Sequence, residues 1–137
     1  MNFHSVVQGF VEDAIEVNKN NKSCHIALLM NGKKVVSFGY NQMGRQCFRG
    51  SSVNSLHAEI DCLRKCRPIR DVMGRGYTLV IVKVSKENNG TYYDSMPCKN
   101  CKKFLQGLNF KSVYCSNRKG EIVKINLVDY TPYNLNV

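Results

Sequence analysis

Residues 77–84 read YTLVIVKV, apolar at every position except Thr78 and Lys83. A strand with one wet face alternates apolar and polar side chains, so a run this continuous belongs to a strand covered on both faces. It is expected at the centre of a sheet, and the rest of the chain must supply a layer above and a layer below. Val6, Phe10, Ile15 and Val17 recur at roughly helical spacing over residues 3–18, until the polar stretch NKNNKS ends the segment. Leu56, Ile60 and Leu63 repeat at i, i+4 and i+7 in a second helix, which Asn54 or Ser55 would cap and Pro68 would stop. A third helix is expected from Pro97, a residue suited to a first helical turn, through Phe104 and Leu105 to about Gly107.

Residues 25–30 and 34–40 are β-rich and flank Asn31-Gly32, the strongest short hairpin signal, so they are expected to pair antiparallel. Residues 112–116 and 121–127 are two further strands joined only by Asn117, Arg118, Lys119 and Gly120. A parallel pair needs a crossover of about a dozen residues or more, so these two are also expected to be antiparallel neighbours. Residues 42–55, with Gly44, Gly50 and little periodicity, read as a long loop, and Tyr130, Tyr133 and Leu135 as a tail packing back on the sheet. The sum is a three-layer α/β/α arrangement around a mixed five-stranded sheet with antiparallel last two strands. A length of 137 residues at 43% hydrophobic supplies one core, hence a single domain over residues 1–137.

The N-terminal apolar stretch carries Glu12 and Asp13, and runs such as IALLM fall far short of spanning length, so neither secretion nor a membrane partner is expected. Seven cysteines form an odd, scattered set, which suits a reducing, cytoplasmic or nuclear compartment better than a disulfide framework. The net charge of +10 favours phosphate-bearing partners, although Asn and Lys abound along the whole chain and part of the charge is compositional. Six of the seven arginines fall between residues 45 and 75, a local concentration.

Cys98-Lys99-Asn100-Cys101 places two thiols three residues apart, on one face of a helix start and within reach of one ion. Alone, the pair reads equally as a redox dithiol. His57-Ala58-Glu59 tips the balance by bringing an imidazole and a carboxylate to the start of another helix, with a single central strand between it and the cysteines. One His and two Cys leave the fourth tetrahedral position of zinc open for water, as in catalytic sites and unlike closed structural ones. Residues two apart on a regular helix point about 200° apart, so His57 and Glu59 share a cavity only at a helix start. The competing reading is a closed four-ligand site completed by Cys62, Cys66 or another thiol, with Glu59 an ordinary solvated helix residue. Otherwise Cys62, Cys66 and Cys115 read as buried small hydrophobes.

The strings S-L-H-A-E-I-D-C-L and S-M-P-C-K-N-C-K-K-F-L, with S-F-G-Y-N at residues 37–41, resemble the cytidine deaminase-like zinc deaminases over about residues 24–127. The resemblance implies the fold of that family and zinc on His57, Cys98 and Cys101. It implies Glu59 as the proton shuttle of a hydrolytic deamination, the product carrying a carbonyl in place of an amine. Asn41 then falls where the family contacts ribose or base, its competing role being a turn residue. Ala58 and Pro97 flank the same substrate position, with backbone amides near Ala58 and Cys98 as candidate donors.

Three functions follow. The first is deamination of cytidine, deoxycytidine or their nucleotides, since the short hairpin joining the last two strands resembles the free-nucleoside branch of the family. His57, however, stands where that branch usually carries Cys. The second is a polynucleotide deaminase acting on single-stranded DNA or RNA, in which Arg45, Phe48 and Arg49, with Tyr92 and Tyr93, stack a flipped base and hold phosphates. The same residues read as core aromatics and solvated arginines of an ordinary loop. The third is a zinc-stabilised binding module without catalysis, which the intact Glu59 argues against. The partners are accordingly a nucleoside or nucleotide, or single-stranded nucleic acid, and assembly into homo-oligomers is compatible with all three.

Overall fold

Thr78–Val84 form strand β5, the middle strand of the main sheet. On one side lie β1 (Cys24–Asn31) and β2 (Lys34–Tyr40), on the other β7 (Ser112–Ser116) and β8 (Ile122–Ile125), in the order β2-β1-β5-β7-β8. The computed structural model of the chain describes residues 3–20, 23–48, 51–56, 58–65, 76–85, 92–93, 95 and 110–126, with backbone alone for 42–48, 51–56 and 64. The expected third helix and the tail lie outside these residues.

The sheet is mixed. β1 pairs antiparallel with both β2 and β5, β5 runs parallel to β7, and β7 turns back antiparallel into β8. The first hairpin closes tightly because Asn31 pairs with Lys34 and Gly32 adopts φ 62°, a left-handed conformation that glycine reaches without a Cβ penalty. The second turns through Gly120 at φ 80°, with Asn117 Oδ1 accepting from the N–H groups of Lys119 and Glu121 at 3.0 and 2.9 Å.

Both faces of β5 are covered, as its composition requires. On one face Val80, Val82 and Val84 join Ile26, Leu28 and Met30 and bury Val7, Val11 and Ala14 of two helices, α1 (Phe3–Gln8) and α2 (Val11–Val17). On the other, Leu79 and Ile81 join Ala27, Leu29, Val113 and Cys115 and pack under Ala58, Cys62 and Leu63 of α3 (Ala58–Arg64). Each large aliphatic side chain so buried contributes about 1.5–3 kcal/mol. Cys62 and Cys115, both 0% exposed, are part of this packing.

Two expectations are corrected. The first helix is broken: Gly9 N–H bonds Val6 O at 3.2 Å and Phe10 N–H bonds Val7 O at 2.9 Å, a tight turn that separates α1 from α2. The stretch 42–55 is no loop but a β-hairpin, β3 (Gln42–Phe48) against β4 (Ser51–Leu56), paired from Gln42↔Leu56 to Phe48↔Ser51 with a bulge between Met43 and Gln46. Asn54 and Ser55 therefore belong to a strand and do not cap the helix. Its sequence hid it, since Ser, Gln, Asn and Arg leave no period-2 hydrophobicity to read, and Gly44 falls within the bulge. A two-residue strand, β6 (Tyr92–Tyr93), pairs with the end of β5.

Tyr40 is 6% exposed in the first of these clusters, and its hydroxyl has no hydrogen-bond partner among the described residues. Burial, with smaller contributions from Asp13 and Cys24, pushes its pKa from 10.0 up to about 12. The folded state thus keeps a neutral phenol where the unfolded chain ionises. Stability from this group is full below pH 10 and declines from there towards pH 12. Tyr40→Phe is expected to flatten this alkaline loss in denaturant melts at pH 8 to 11 while costing little at neutral pH, because the hydroxyl removed has no partner among the described residues. A variant with the wild-type alkaline slope would remove Tyr40 from the account.

Candidate active site

Ala58 and Glu59 open α3, and both are buried, Glu59 at 5% exposure despite its carboxylate. The placement comes from how α3 docks on the edge of the sheet. Gly39 of β2 lies beneath it, so close that a Cβ there would stand 2.5 Å from Ala58 O and closer still to Cys62 N. Ser37, two residues back on the same face, donates its hydroxyl to Cys62 O at 2.8 Å. Asp61, fully buried, accepts from Tyr40 N–H at 3.1 Å. Lys65 pairs with Asp61 at 3.2 Å, donates to Phe38 O at 3.1 Å and lies 4.8 Å over the Phe38 ring. Small side chains at Ser37 and Gly39 admit the helix, and the polar contacts satisfy the outer edge of β2. Sequence reading passed over Ser37, Asp61 and Lys65; only the i,i+4 spacing of the last two carried a signal.

Gly39→Ala is therefore expected to overpack this contact and lift the first turn of α3, at a cost of about 1–3 kcal/mol or more. Chemical denaturation measures the loss. An alanine variant as stable as wild type would mean that α3 shifts freely.

Gly39 pairs with Ala27, and Ala27 with Ile81, so the three form one row across β2, β1 and β5. Ser95 Oγ donates to Ile81 O at 2.7 Å, at the far end of the same row. Two strand spacings separate the ends, roughly 10 Å. The first turn of α3 and the residue that leads into Met96-Pro97-Cys98 are thus anchored to one level of the sheet. Cys62 O, further along α3, meets Ser37 on the row of Leu29 and Leu79, two residues earlier on β5 than Ile81, so the helix starts nearer the carboxyl end of β5 than it finishes. Crevices beyond the carboxyl ends of strands are where open α/β sheets hold ligands.

His57, Pro97, Cys98 and Cys101 lie outside the described residues, and among those described no group of three His, Cys, Asp or Glu side chains gathers into a metal site. Arg45 and Phe48 sit on β3, where the backbone alone is described. Asn41 is 9% exposed and latched to the start of β1: its Oδ1 accepts from His25 N–H at 2.8 Å, and its Nδ2 donates to Ser23 O at 3.2 Å. One amide hydrogen of Asn41 is enough for that latch. Tyr92 is a core residue, 4% exposed, with its hydroxyl bonded by Gln8 Nε2 at 3.1 Å and its ring 5.3 Å from that of His4, whereas Tyr93 is 43% exposed. Stacking on a base is open to Tyr93 and closed to Tyr92. A cleft lined by Asn31, Lys33, Thr78, Lys111 and Tyr114 lies at the opposite end of β5 from Glu59 and is not part of this site.

No protein-family model matches the chain, and no curated protein matches it in sequence. Solved structures match it in shape. The dCMP deaminase from the cyanophage S-TIM5 in complex with dCMP and dUMP superposes with a TM-score of 0.50 over 83% of this chain and 82% of that one, at 17% identity. The cytidine deaminase from Mycobacterium leprae superposes with a TM-score of 0.50 over 88% of this chain and 93% of that one, at 17% identity. The likeness shows the fold, a mixed α/β arrangement of the cytidine deaminase-like kind.

Proposed function

We propose that this chain is a zinc-dependent hydrolytic deaminase of a cytosine-type base, acting on cytidine, deoxycytidine or their nucleotides. The observation that carries the reading is the buried carboxylate of Glu59, held in the first turn of α3 on the same row of the sheet as Ser95, three residues ahead of Cys98. Two structures of the same fold are deaminases of cytidine and of dCMP, and the second holds dCMP and dUMP. That is support from shape alone.

The donor set fits zinc. One imidazole and two thiols are the nitrogen and sulfur ligands the ion prefers, and three of them leave a position open. His57 is bonded to Ala58, and at about 3.3–3.6 Å per residue Cys98 lies within roughly 11 Å of Ser95, so covalent reach allows all three to meet near Glu59. Zinc bound there would lower the pKa of a water from about 15.7 towards 7. Glu59 would take the proton that water releases and deliver it to the ring nitrogen as oxygen bonds to the amine-bearing carbon. It would then move the remaining proton of the added hydroxyl to the amine, so that the carbonyl forms as the C–N bond breaks and ammonia leaves. Burial keeps Glu59 away from bulk water. The second N–H of Asn41 is free of the His25 and Ser23 latch and is assigned to a ribose hydroxyl or base. The test is metal dependence: chelator-stripped protein should lose conversion of these substrates and regain it with zinc, and a stripped protein of full activity would overturn the reading.

A polynucleotide substrate is the second reading, and the β3–β4 hairpin favours it. The hairpin begins after Asn41 and ends before His57, so Arg45 and Phe48 ride on an arm that leaves and rejoins the candidate site. Binding of a single-stranded oligonucleotide is then expected to weaken steeply with salt, log K falling by about 0.7 per log unit of salt for each phosphate contact. A flat response would remove this reading and leave the free nucleoside or nucleotide.

A further inference from the structure

The carboxyl end of β5 changes neighbours. Up to Ile81 its outer edge pairs with β7, through Ile81↔Cys115; from Lys83 onward it pairs with β6, through Lys83↔Tyr93 and Val84↔Tyr92. Where one strand stops and another begins on the same edge, backbone groups lose their ladder partners, and buried ones must find others. Two serine hydroxyls provide them. Ser95 Oγ donates to Ile81 O at 2.7 Å and accepts from Ser116 N–H at 3.0 Å. Ser116 Oγ accepts from Lys83 N–H at 3.1 Å and donates to Tyr93 O. Ser95 N–H closes the ring on Ser116 O at 3.0 Å, and the two hydroxyl oxygens lie 2.9 Å apart. Ser95 is 6% exposed and Ser116 0%. Strands β5, β6 and β7 are thus tied at a single point, from which the chain continues into Met96-Pro97-Cys98.

We infer that Ser95 and Ser116 are positioning residues for the proposed zinc site: their paired hydroxyls fix the point at which the segment bearing Cys98 and Cys101 leaves the sheet. This rests on the reading that those thiols hold zinc. Neither serine touches the reacting atoms. Their effect passes through the backbone of residues 96–98, as an outer-shell group orients a ligand it does not replace.

The experiment compares Ser95→Ala and Ser116→Ala with wild type and with Val7→Ala, a core truncation on α1, on the opposite face of the sheet from α3. Each is titrated with zinc in competition with a chelator, loaded with cobalt for its thiolate absorption bands, and melted. Either serine variant is expected to bind zinc about 10–100-fold more weakly and to shift the cobalt bands. Val7→Ala should lose stability and keep both. Ser95→Thr, which retains the hydroxyl, should recover most of the affinity. If one alanine variant fails to fold, the other and the threonine variant carry the test. Wild-type affinity with unchanged cobalt bands in the serine variants would overturn the positioning role. A wild-type protein that takes up no zinc would overturn the metal reading, and this inference with it, and is told apart by that first titration.

Discussion

Glu59→Gln is expected to give a folded protein that still takes up zinc and no longer deaminates. Glutamine keeps the volume of the side chain, which matters at 5% exposure, but cannot collect and release a proton at neutral pH. A positioned general acid or base contributes about 10²–10⁴-fold to rate. One carboxylate serving two successive transfers places the loss at the upper end of that range. Steady-state conversion read by mass spectrometry measures it, with a thermal melt as the check on folding. Activity above about a hundredth of wild type would place the proton transfers on another group.

Cys101→Ala carries the second large effect, loss of stoichiometric zinc. Altering an outer-shell partner costs about 10–100-fold in metal affinity, and removing one of three direct ligands should cost more. Zinc content after dialysis reads the result. Retention of one zinc per chain would point to a different ligand set, and Cys62 is poorly placed to complete one. It is buried in the core cluster with Leu29 and Leu79, its backbone nitrogen against Gly39. That position matches the reading of Cys62 as a small hydrophobe.

The elements that burial dictates were legible in the sequence. The nearly continuous apolar run of residues 77–84 pointed to a central strand, Asn31-Gly32 to the first hairpin, and the short link after Ser116 to antiparallel pairing of β7 and β8. Elements with little to bury were not. The β3–β4 hairpin is rich in Ser and Gln and carries a bulge, so its period was masked. The break at Gly9 and Phe10 is a local hydrogen-bonding event within an unbroken apolar pattern.

Of the candidate site, the opening of a helix at Ala58 and Glu59 was legible, and the residues that hold that helix in place were not. Gly39 reads as one more strand glycine until α3 is laid across it. Ser95 and Ser116 are 21 positions apart and meet only because β6 and β7 share one edge of β5. Asn41 was read as a substrate contact, and what the structure shows is its latch onto Ser23 and His25. Such roles arise from tertiary contact, which no spacing along the chain reports.

The most direct measurement of the proposed activity is mass spectrometry of zinc-loaded protein incubated in ¹⁸O-labelled water. The panel is cytidine, deoxycytidine, their monophosphates and a cytosine-bearing single-stranded oligonucleotide. The expected result is the uracil form of at least one substrate carrying one oxygen from solvent, with an equivalent of ammonia released. A panel left unconverted by fully zinc-loaded protein, or a product whose new oxygen does not come from water, would contradict hydrolytic deamination at Glu59.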